Sequence, residues 1–370
     1  MPKDSYDIAV IHGDGIGPEV CQATLDVLAA LPTVGPLLRF TEHPGGAAAY
    51  REHGAALPEA TLEAVRRADA TLHGAAGDPA VTYPDGTEVG LDFGLLLRFR
   101  LDVYANIRHV KLYDGVPTAL ANRRPGDIDY VILRENVEGL YASRGGGNIL
   151  RDRVATDTLV ITREGTERIA RRAFELARKR SGAPADGVRR VTVCDKANVL
   201  RSYAFFRKVC REVAEDYPDV EVEYAMVDAL TAHLVIRPQH YDVIVSENMF
   251  GDIISDLGPA TVGGLGMSPT AELGDDVGFF QAAHGSAPDI AGQGIANPLG
   301  TILSAALMLD WLGERHDDRR LTEGAAHLNR TVEEGLADGT LLTRDLGGTA
   351  GTSEVTASLV DRLGASAAVA

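Results

Sequence analysis

The sequence predicts an α/β protein with a largely parallel sheet, and two observations support this fold class. Strand-like and helix-like patterns alternate along most of the 370 residues, as they do in proteins built from βαβ units. Clusters rich in glycine and proline, at residues 45–48, 74–86, 145–147 and 263–266, separate these segments. A chain of this length can form two domains of ordinary size.

Periodicity and end signals place the individual elements. Strands, recognised as short apolar runs between turn residues, are predicted at residues 7–12, 70–73, 130–133, 191–194, 220–226 and 243–245. Helices are predicted at residues 18–31, which open with a proline, at 58–68, and at 163–180, which end in basic residues. From residue 298 onward we expect mostly helix, with a frayed Ala-rich tail at residues 365–370.

The composition limits the possible partners. A formal net charge of −17 argues against binding to nucleic acid or to an anionic membrane, because both require basic surfaces. An acidic chain that binds anionic metabolites must concentrate its arginines locally. The three cysteines are too few and too scattered for a disulfide framework or a zinc site. The amino terminus shows no basic-then-apolar segment and Asp310 interrupts the longest apolar helix, so we expect a soluble, cytoplasmic protein.

The most informative segment is YDVIVSENMFGDIISD, at residues 241–256. After a β-run, we expect a glycine turn at Gly251 to open a helix that carries Asp252 and Asp256. Four residues apart, these carboxylates share one helical face at the carboxyl end of a strand, where α/β proteins bind ligands. Two like charges so close favour a cation between them, and carboxylate oxygens suit Mg²⁺ or Mn²⁺. Asp228 lies a short way upstream in the sequence.

Four arginines are candidates for binding a di- or tricarboxylate. Arg98, Arg100 and Arg108 lie in LLLRFRLDVYANIRHVKL, and Arg134 lies in VILRENVEGLY. Each offers a forked and permanently charged set of donors that can grip a carboxylate with two hydrogen bonds. For Arg100, an ordinary surface position explains the pattern equally well.

Tyr141 and Lys196 are candidates for proton transfer. Tyr141 ends the RENVEGLY segment, and Lys196 follows the predicted strand at residues 191–194 in CDKANVL. A lysine at the end of a strand is well placed in a ligand cleft, where it can act as a proton shuttle with a tyrosine as the acid.

Two glycine-containing segments bear on the cofactor. HGSAPDIAGQGIANP, at residues 284–298, is rich in small residues that let a ligand approach the backbone closely. His284 can stack on an adenine, and Asp289 is of the type that hydrogen-bonds the free hydroxyls of an NAD ribose. The opening GDGIGPEV, at residues 13–20, lacks the G-x-G-x-x-G spacing, which disfavours an unrelated Rossmann 2-hydroxy acid dehydrogenase.

Together, these motifs resemble the β-decarboxylating dehydrogenases, the family of isocitrate, isopropylmalate, homoisocitrate and tartrate/D-malate dehydrogenases. IHGDGIGPEV, YANIR, RENVEGLY, DKANVL, NMFGDIISD, GGLGMSP and HGSAPDIAGQGIANP occur in this order over nearly the whole length. The resemblance implies an isopropylmalate dehydrogenase-like two-domain α/β/α fold with a mixed, largely parallel sheet, and a homodimer whose active sites are shared across the interface. It implies a discontinuous first domain, residues 1–100 and 256–370, and a second domain, residues 101–255, with the dimer interface and an arm near residues 142–162.

The resemblance also implies roles for individual residues. Arg98, Arg108 and Arg134 would bind the substrate carboxylates, and Tyr141 would form an acid/base pair with Lys196 contributed by the second subunit. The divalent metal would be held by Asp252 and Asp256 together with Asp228 of the second subunit. The adenosine half of the cofactor would be bound by His284, Gly285, Ser286, Ala287, Asp289 and Asn297. Asp289 implies NAD, because NADP-dependent relatives place a lysine there.

The implied activity is the oxidative decarboxylation of a 3-substituted malate of the isopropylmalate, D-malate or tartrate type. Homoisocitrate or isocitrate is the alternative substrate. A non-catalytic regulatory subunit is a minor alternative, which the retained acid/base and metal-binding residues disfavour. Substrate choice in this family rests on the residues before Arg98, where the apolar Leu95 favours a small or hydrocarbon 3-substituent. The chain departs from the family pattern at His109, where relatives usually have proline, and at Gln281, where most have glutamate.

Overall fold

A computed structural model describes residues 1–367, which form twelve strands and eleven α-helices. The strands are β1 (Tyr6–Gly13), β2 (Leu38–Glu42), β3 (Ala70–Ala75), β4 (Ala105–Lys111), β5 (Asp129–Glu135), β6 (Asn148–Leu150), β7 (Val154–Thr156), β8 (Arg190–Asp195), β9 (Glu221–Met226), β10 (Val243–Ser246), β11 (Pro269–Leu273) and β12 (Gly278–Ala282). The helices are α1 (Gly17–Ala29), α2 (Ala47–His53), α3 (Glu59–Arg67), α4 (Val89–Leu101), α5 (Arg163–Lys179), α6 (Arg201–Ala214), α7 (Val227–Ile236), α8 (Asn248–Ala260), α9 (Leu299–His316), α10 (Arg319–Ala337) and α11 (Thr352–Ala367). The tail that the sequence predicts to be frayed begins inside α11, and residues 368–370 lie outside the described range.

The chain forms two compact units. The first comprises Met1–Val103, Tyr113–Pro117 and the chain from Gly263 onward, and the second comprises Tyr104–Leu112 and Thr118–Val262. The family resemblance implies boundaries after residues 100 and 255. The assignment of a dimer interface to the second domain stays a prediction.

In the first unit, five strands lie in the order β2, β1, β3, β12, β11. The first four are parallel to one another, and β11 runs antiparallel to β12. Every residue of β3 is buried, as expected for an interior strand of a parallel sheet covered on both faces. Helices α1 and α9 contact this sheet, and α9 packs against α10.

In the second unit, the order is β4, β5, β10, β8, β9. Strand β4 is antiparallel to β5, and the remaining pairs are parallel. Helices α7 and α8 bury Leu230, Leu234 and Ile254 against Tyr130 and Ile132 of β5. The predicted α/β class with a mixed, largely parallel sheet is therefore confirmed.

Helix α5 shows how the local sequence produces its element. Thr162 accepts a hydrogen bond from the backbone N–H of Gly165 at 3.0 Å and so caps the first turn. Ile169, Ala173 and Ala177 recur every four residues on the buried face. Arg178 and Lys179 end the helix, where basic side chains interact favourably with its dipole.

The region predicted as an arm contains a hairpin of β6 and β7, whose residues are all exposed. Within residues 1–367, no helix has the length and apolar character needed to cross a membrane. The three cysteines, Cys21, Cys194 and Cys210, are free thiols and are all buried.

Candidate active site

Helix α8 starts directly after strand β10 because Glu247 caps it. The buried Glu247 side chain accepts hydrogen bonds from the backbone N–H groups of Phe250 at 2.8 Å and Met249 at 3.2 Å. The hydroxyl of Tyr203 donates to the same carboxylate at 2.8 Å. These bonds hold the first turn of α8 at the carboxyl end of β10.

Gly251 lies inside α8, so the predicted glycine turn at this position is wrong. Gly251 instead allows α8 to pack closely against its neighbours. A Cβ atom at residue 251 would lie 2.7 Å from the Cβ of Arg134, and one at Gly258 would lie 2.6 Å from Cγ2 of Val110. Both glycines let α8 approach strands β4 and β5 closely, which brings its acidic face next to the arginines of those strands.

Arg134 lies in β5 with only 2% of its side chain exposed. Its Nε donates to Oδ1 of Asn248 at 2.9 Å, and its Nη1 donates to Oδ1 of Asp252. The hydroxyl of Tyr141 donates to the other oxygen of Asp252 at 2.8 Å, and the Arg134 guanidinium lies 5.4 Å from the Tyr141 ring centroid. Burial, followed by this hydrogen bond to a carboxylate, raises the pKa of Tyr141 above its usual value.

Arg108, in β4, contacts both aspartates of α8. Its Nη1 donates to Oδ1 of Asp256 at 2.9 Å, and its Nη2 lies 3.8 Å from Oδ1 of Asp252. Its Nε donates to Oδ1 of Asn106 at 3.2 Å. Arg108 therefore links the two carboxylates that the sequence predicted to share one helical face.

We refer to Arg108, Arg134, Tyr141, Asp252 and Asp256 as the α8 cluster. Its two guanidinium groups are buried, whereas the side chains of Asp252 and Asp256 are 35% and 61% exposed. A cation arriving from solvent would therefore meet the carboxylates first. Carboxylate oxygens are the donors that Mg²⁺ and Mn²⁺ prefer, so this pair fits part of a divalent-metal site.

Lys196 and Asp228 form a separate pair in the second unit. Lys196 follows β8, Asp228 lies in the first turn of α7, and Nζ lies 2.6 Å from Oδ1. The hydrogen bond from Lys196 lowers the pKa of the Asp228 carboxyl. Within residues 1–367 of one chain, no three His, Cys, Asp or Glu side chains converge to hold a metal, so Asp228 does not complete the α8 cluster within its own chain.

Arg98, in α4, forms a two-point ion pair that the sequence did not predict. Its Nε donates to Oε2 of Glu272 at 2.9 Å and its Nη2 donates to Oε1 at 2.8 Å. Glu272 lies in β11 and its side chain is only 1% exposed. The available signal was a single glutamate within the otherwise uncharged strand Pro269–Leu273. Leu95, one turn before Arg98 on α4, is half-buried.

Gln281 and His73 extend this ion pair. Nε2 of Gln281 donates to Oε1 of Glu272 at 2.9 Å, and Oε1 of Gln281 accepts from Nδ1 of His73 at 2.8 Å. Burial lowers the pKa of His73 to about 4, so the imidazole is neutral. In the sequence, Gln281 stands out only as a departure from the family pattern, and nothing distinguishes His73 from an ordinary strand residue.

The predicted cofactor loop packs onto the turn between β1 and α1. The carbonyl of Ser286 accepts a hydrogen bond from the backbone N–H of Ile16 at 2.8 Å. Ser286 is buried, whereas Gly285 and Asp289 are exposed, and Ala287 has a φ of 37°. The exposed carboxylate of Asp289 can reach a ligand in solution. The loop thus combines an accessible acid with small residues, as a ribose site requires.

His284 and Asn297 lie at the two ends of this loop. Burial lowers the pKa of His284, its Nδ1 lies 2.9 Å from the Gly285 carbonyl oxygen, and its buried Nε2 has no hydrogen-bond partner among the described residues. An unpartnered buried nitrogen fits a site that receives a polar ligand group. Asn297 is buried, donating to Asp345 at 3.0 Å and accepting from the Leu299 N–H at 3.0 Å.

Known proteins resemble this chain over nearly its whole length. The model of the isocitrate/isopropylmalate dehydrogenase family matches residues 7–360. A 3-isopropylmalate/3-methylmalate dehydrogenase from Methanocaldococcus jannaschii is 45% identical over 359 residues, covering 97% of this chain and 99% of that protein. A tartrate dehydrogenase/decarboxylase from Pseudomonas putida is 40% identical over 375 residues, covering 98% of this chain and 99% of that protein.

A solved structure agrees with these sequence relatives. The isocitrate dehydrogenase from Methylococcus capsulatus matches with a TM-score of 0.84 and 36% identity, covering 97% of this chain and 99% of that chain. The resemblance inferred from the sequence motifs is thus confirmed. The chain is an oxidoreductase that belongs to the isocitrate/isopropylmalate dehydrogenase family.

Proposed function

We propose that the protein oxidises and decarboxylates a 3-substituted malate, using NAD⁺ and a divalent cation, and releases a 2-oxo acid, CO₂ and NADH. The α8 cluster is the observation that carries this proposal. It links two buried guanidinium groups, two solvent-reaching carboxylates and a protonated phenol through hydrogen bonds and ion pairs. These groups are the ones needed to bind a dicarboxylate, hold a cation and deliver a proton.

The arginines of the cluster are proposed to bind the substrate carboxylates, with Arg98 of the first unit as a further ligand. Arg108 and Arg134 neutralise Asp252 and Asp256 in this structure. If a divalent cation binds Asp252 and Asp256, it replaces the arginines as their counter-ion. Arg108 and Arg134 can then bind the substrate carboxylates. We therefore expect substrate and divalent cation to strengthen each other's binding.

The metal site would be completed by Asp228 of a second copy of the chain. Asp252 and Asp256 offer carboxylate oxygens one helical turn apart, which suits Mg²⁺ or Mn²⁺. A bound divalent cation supplies a Lewis acid for the oxygen at C2. Within one chain, the α8 cluster consists of residues assigned to the first subunit, whereas Lys196 and Asp228, assigned to the second, pair with each other. This separation supports a homodimer with shared active sites.

Tyr141 and Lys196 would handle the one proton that the reaction moves. Lys196 of the second subunit would accept the proton of the 2-hydroxyl group, and a bound NAD⁺ would supply the hydride acceptor for C2. After CO₂ departs from C3, Tyr141 would deliver a proton from its Oη to that carbon. The raised pKa of Tyr141 keeps this proton in place at neutral pH.

The cofactor is proposed to be NAD⁺. Asp289 is exposed in the loop after β12, where its carboxylate can hydrogen-bond ribose hydroxyls and repel a 2′-phosphate. The unpartnered Nε2 of His284 offers one further contact in the same loop. A cytoplasmic location is part of the proposal and stays a prediction.

A substrate panel tests the proposal. The purified protein is incubated with NAD⁺, Mn²⁺ or Mg²⁺, and D-malate, tartrate, 3-methylmalate, 3-isopropylmalate, homoisocitrate or isocitrate in turn. We expect equal amounts of NADH and CO₂ from at least one malate derivative, with lower kcat/KM for NADP⁺. Absence of turnover with every acid, or turnover that survives complete metal removal, would contradict the proposal.

A binding measurement separates metal binding from catalysis. Titration of Mn²⁺, followed by electron paramagnetic resonance, should show a site that is lost in Asp252→Asn. The matched control is Asp26→Asn, since Asp26 lies in α1 of the first unit, outside the α8 cluster. Equal Mn²⁺ affinity in the two variants would remove the metal assignment.

A further inference from the structure

Arg98, Glu272, Gln281 and His73 form one hydrogen-bonded chain in the first unit, which we call the Glu272 network. The guanidinium of Arg98 grips Glu272 at two points, 2.8 and 2.9 Å. Gln281 donates to the same carboxylate at 2.9 Å, and His73 donates to Gln281 at 2.8 Å. These four hydrogen bonds all run towards Glu272, whose carboxylate accepts three of them directly.

The network carries no net charge. Arg98 contributes one positive charge and Glu272 one negative charge, while Gln281 is an amide and the buried His73 is neutral. A glutamate at position 281 would place a second carboxylate beside Glu272, at the 2.9 Å separation now spanned by an N–H donor. The amide at position 281 therefore avoids the repulsion that a glutamate there would have with Glu272.

Burial makes the pairing strong. The side chains of Glu272 and Arg98 are 1% and 15% exposed, so solvent screens their attraction only weakly. His73 stacks on Phe279 with ring centroids 5.3 Å apart and lies 5.2 Å from Phe93, which fixes the far end of the network. Breaking the Arg98–Glu272 pair would leave a buried charge without its counter-ion. A substrate carboxylate that binds Arg98 therefore has to compete with Glu272.

We propose that Glu272 is a specificity-determining residue: it gives Arg98 a carboxylate partner from the protein itself and so favours substrates whose 3-substituent carries no charge. This inference rests on the proposed function, in which Arg98 contacts the substrate. An acid with a third carboxylate adds a negative charge near a pair that is already neutral. Leu95, half-buried one turn away on α4, favours the same class of hydrocarbon or small substituent.

Two variants of nearly unchanged shape move the charge of the network in opposite directions. Glu272→Gln leaves Arg98 with an unbalanced positive charge and keeps an acceptor for Gln281. Gln281→Glu adds a negative charge beside Glu272. The ratio of kcat/KM for isocitrate to kcat/KM for 3-isopropylmalate should rise about tenfold or more in Glu272→Gln, chiefly through KM, and should fall in Gln281→Glu at pH 8.

Asp318→Asn is the matched control, because Asp318 is also a buried carboxylate of the first unit that pairs with an arginine, Arg320, but it lies outside the network. It should leave the ratio unchanged. An unchanged ratio in both network variants, with melting curves that show folded protein, would overturn the inference. If Glu272→Gln does not fold, the inference is decided by whether the kcat/KM ratio falls in Gln281→Glu.

A binding assay keeps this test separate from the proposed function. Calorimetric titration with isocitrate and with D-malate, in the presence of Mg²⁺, measures affinities without turnover. A wild-type protein that turns over no acid on the panel would contradict the proposed function alone. The specificity inference would still be decided by whether Glu272→Gln gains affinity for isocitrate relative to D-malate, and equal gains for both acids would refute it.

Discussion

Tyr141 holds its proton against the carboxylate of Asp252, at an O–O distance of 2.8 Å. Burial and this neighbour both oppose ionisation of the phenol. Tyr141 therefore stays protonated at neutral pH and can act as an acid. The nearby guanidinium of Arg134 favours the phenolate and limits the rise in pKa. Tyr141 thus keeps its proton, and Arg134 can stabilise the phenolate that forms when the proton is transferred.

Replacing Tyr141 by phenylalanine should lower kcat about 10²–10⁴-fold while changing KM little, because the ring stays and only the acidic hydroxyl is lost. Steady-state kinetics on the best panel substrate measures both constants. Tyr130→Phe is the matched control: the Tyr130 hydroxyl is buried and has no hydrogen-bond partner among the described residues, so kcat should not change. A Tyr141→Phe variant with wild-type kcat would remove the acid assignment.

At the scale of elements, α8 shows both what the sequence could predict and where it failed. The strand before it and the shared face of Asp252 and Asp256 follow from periodicity, and both are present. The start of the helix was misplaced because a glycine is a strong local turn signal, whereas here Gly251 meets Arg134, a residue 117 positions earlier in the sequence. Local patterns cannot reveal such a requirement.

The same reason explains why the Glu272 network was missed. Arg98 and Glu272 are 174 residues apart, and Gln281 contacts His73 across 208 residues. Residue types within motifs were sufficient to identify candidate arginines and aspartates. Which side chains pair with those arginines and aspartates depends on which strands become neighbours. A single sequence does not specify this directly.

Gly251→Ala should displace Arg134 and destabilise the second unit by roughly 1–3 kcal/mol, because the new methyl group would lie 2.7 Å from the Arg134 Cβ. Activity should fall with it. Gly364→Ala is the control, since that glycine lies within α11 and a Cβ there meets nothing within 4 Å. The control should be stabilised by about 0.5–1 kcal/mol. Denaturant unfolding measures both changes, and equal effects of the two substitutions would contradict the packing argument.

At the scale of the whole molecule, the proposed shared active site makes a prediction about mixtures. Tyr141→Phe and Lys196→Ala chains should each be nearly inactive as homodimers. After unfolding and refolding together, a mixed dimer would carry both substitutions in one site and neither in the other. We expect recovery of about a quarter of wild-type activity from an equal mixture. No recovery, with mixed dimers verified by mass spectrometry, would contradict the sharing of these residues between subunits.

The dependence of stability on pH should reveal the environment of His109. Burial lowers the folded pKa of His109 to about 4, and the neighbouring Arg180, whose Nη1 lies 3.1 Å from Nε2 of His109, lowers it too. Because the unfolded chain binds the proton first, the contribution of His109 is complete above about pH 6.5 and is lost as the pH falls towards 4. The neutral imidazole accepts the Arg180 hydrogen bond, which gives His109 a structural role.

His109→Gln should therefore flatten the loss of stability on acidification by up to about 1.4 kcal/mol per pH unit between pH 6.5 and 4.5. Glu135, whose folded pKa is raised to about 7 by burial, acts in the opposite sense, so the informative quantity is the difference between variant and wild type. His53→Gln, at an exposed position, is the control. Parallel stability–pH curves for wild type and His109→Gln would contradict the assignment.

The reactivity of the three buried thiols can report local unfolding of the chain. Burial raises the pKa values of Cys21 and Cys194 to about 12 and raises that of Cys210 as well, so the native protein resists alkylating and oxidising reagents. Cys21 belongs to the first unit and the other two belong to the second. Timed alkylation in mild urea, read peptide by peptide, would therefore reveal which half of the molecule loosens first without any introduced label.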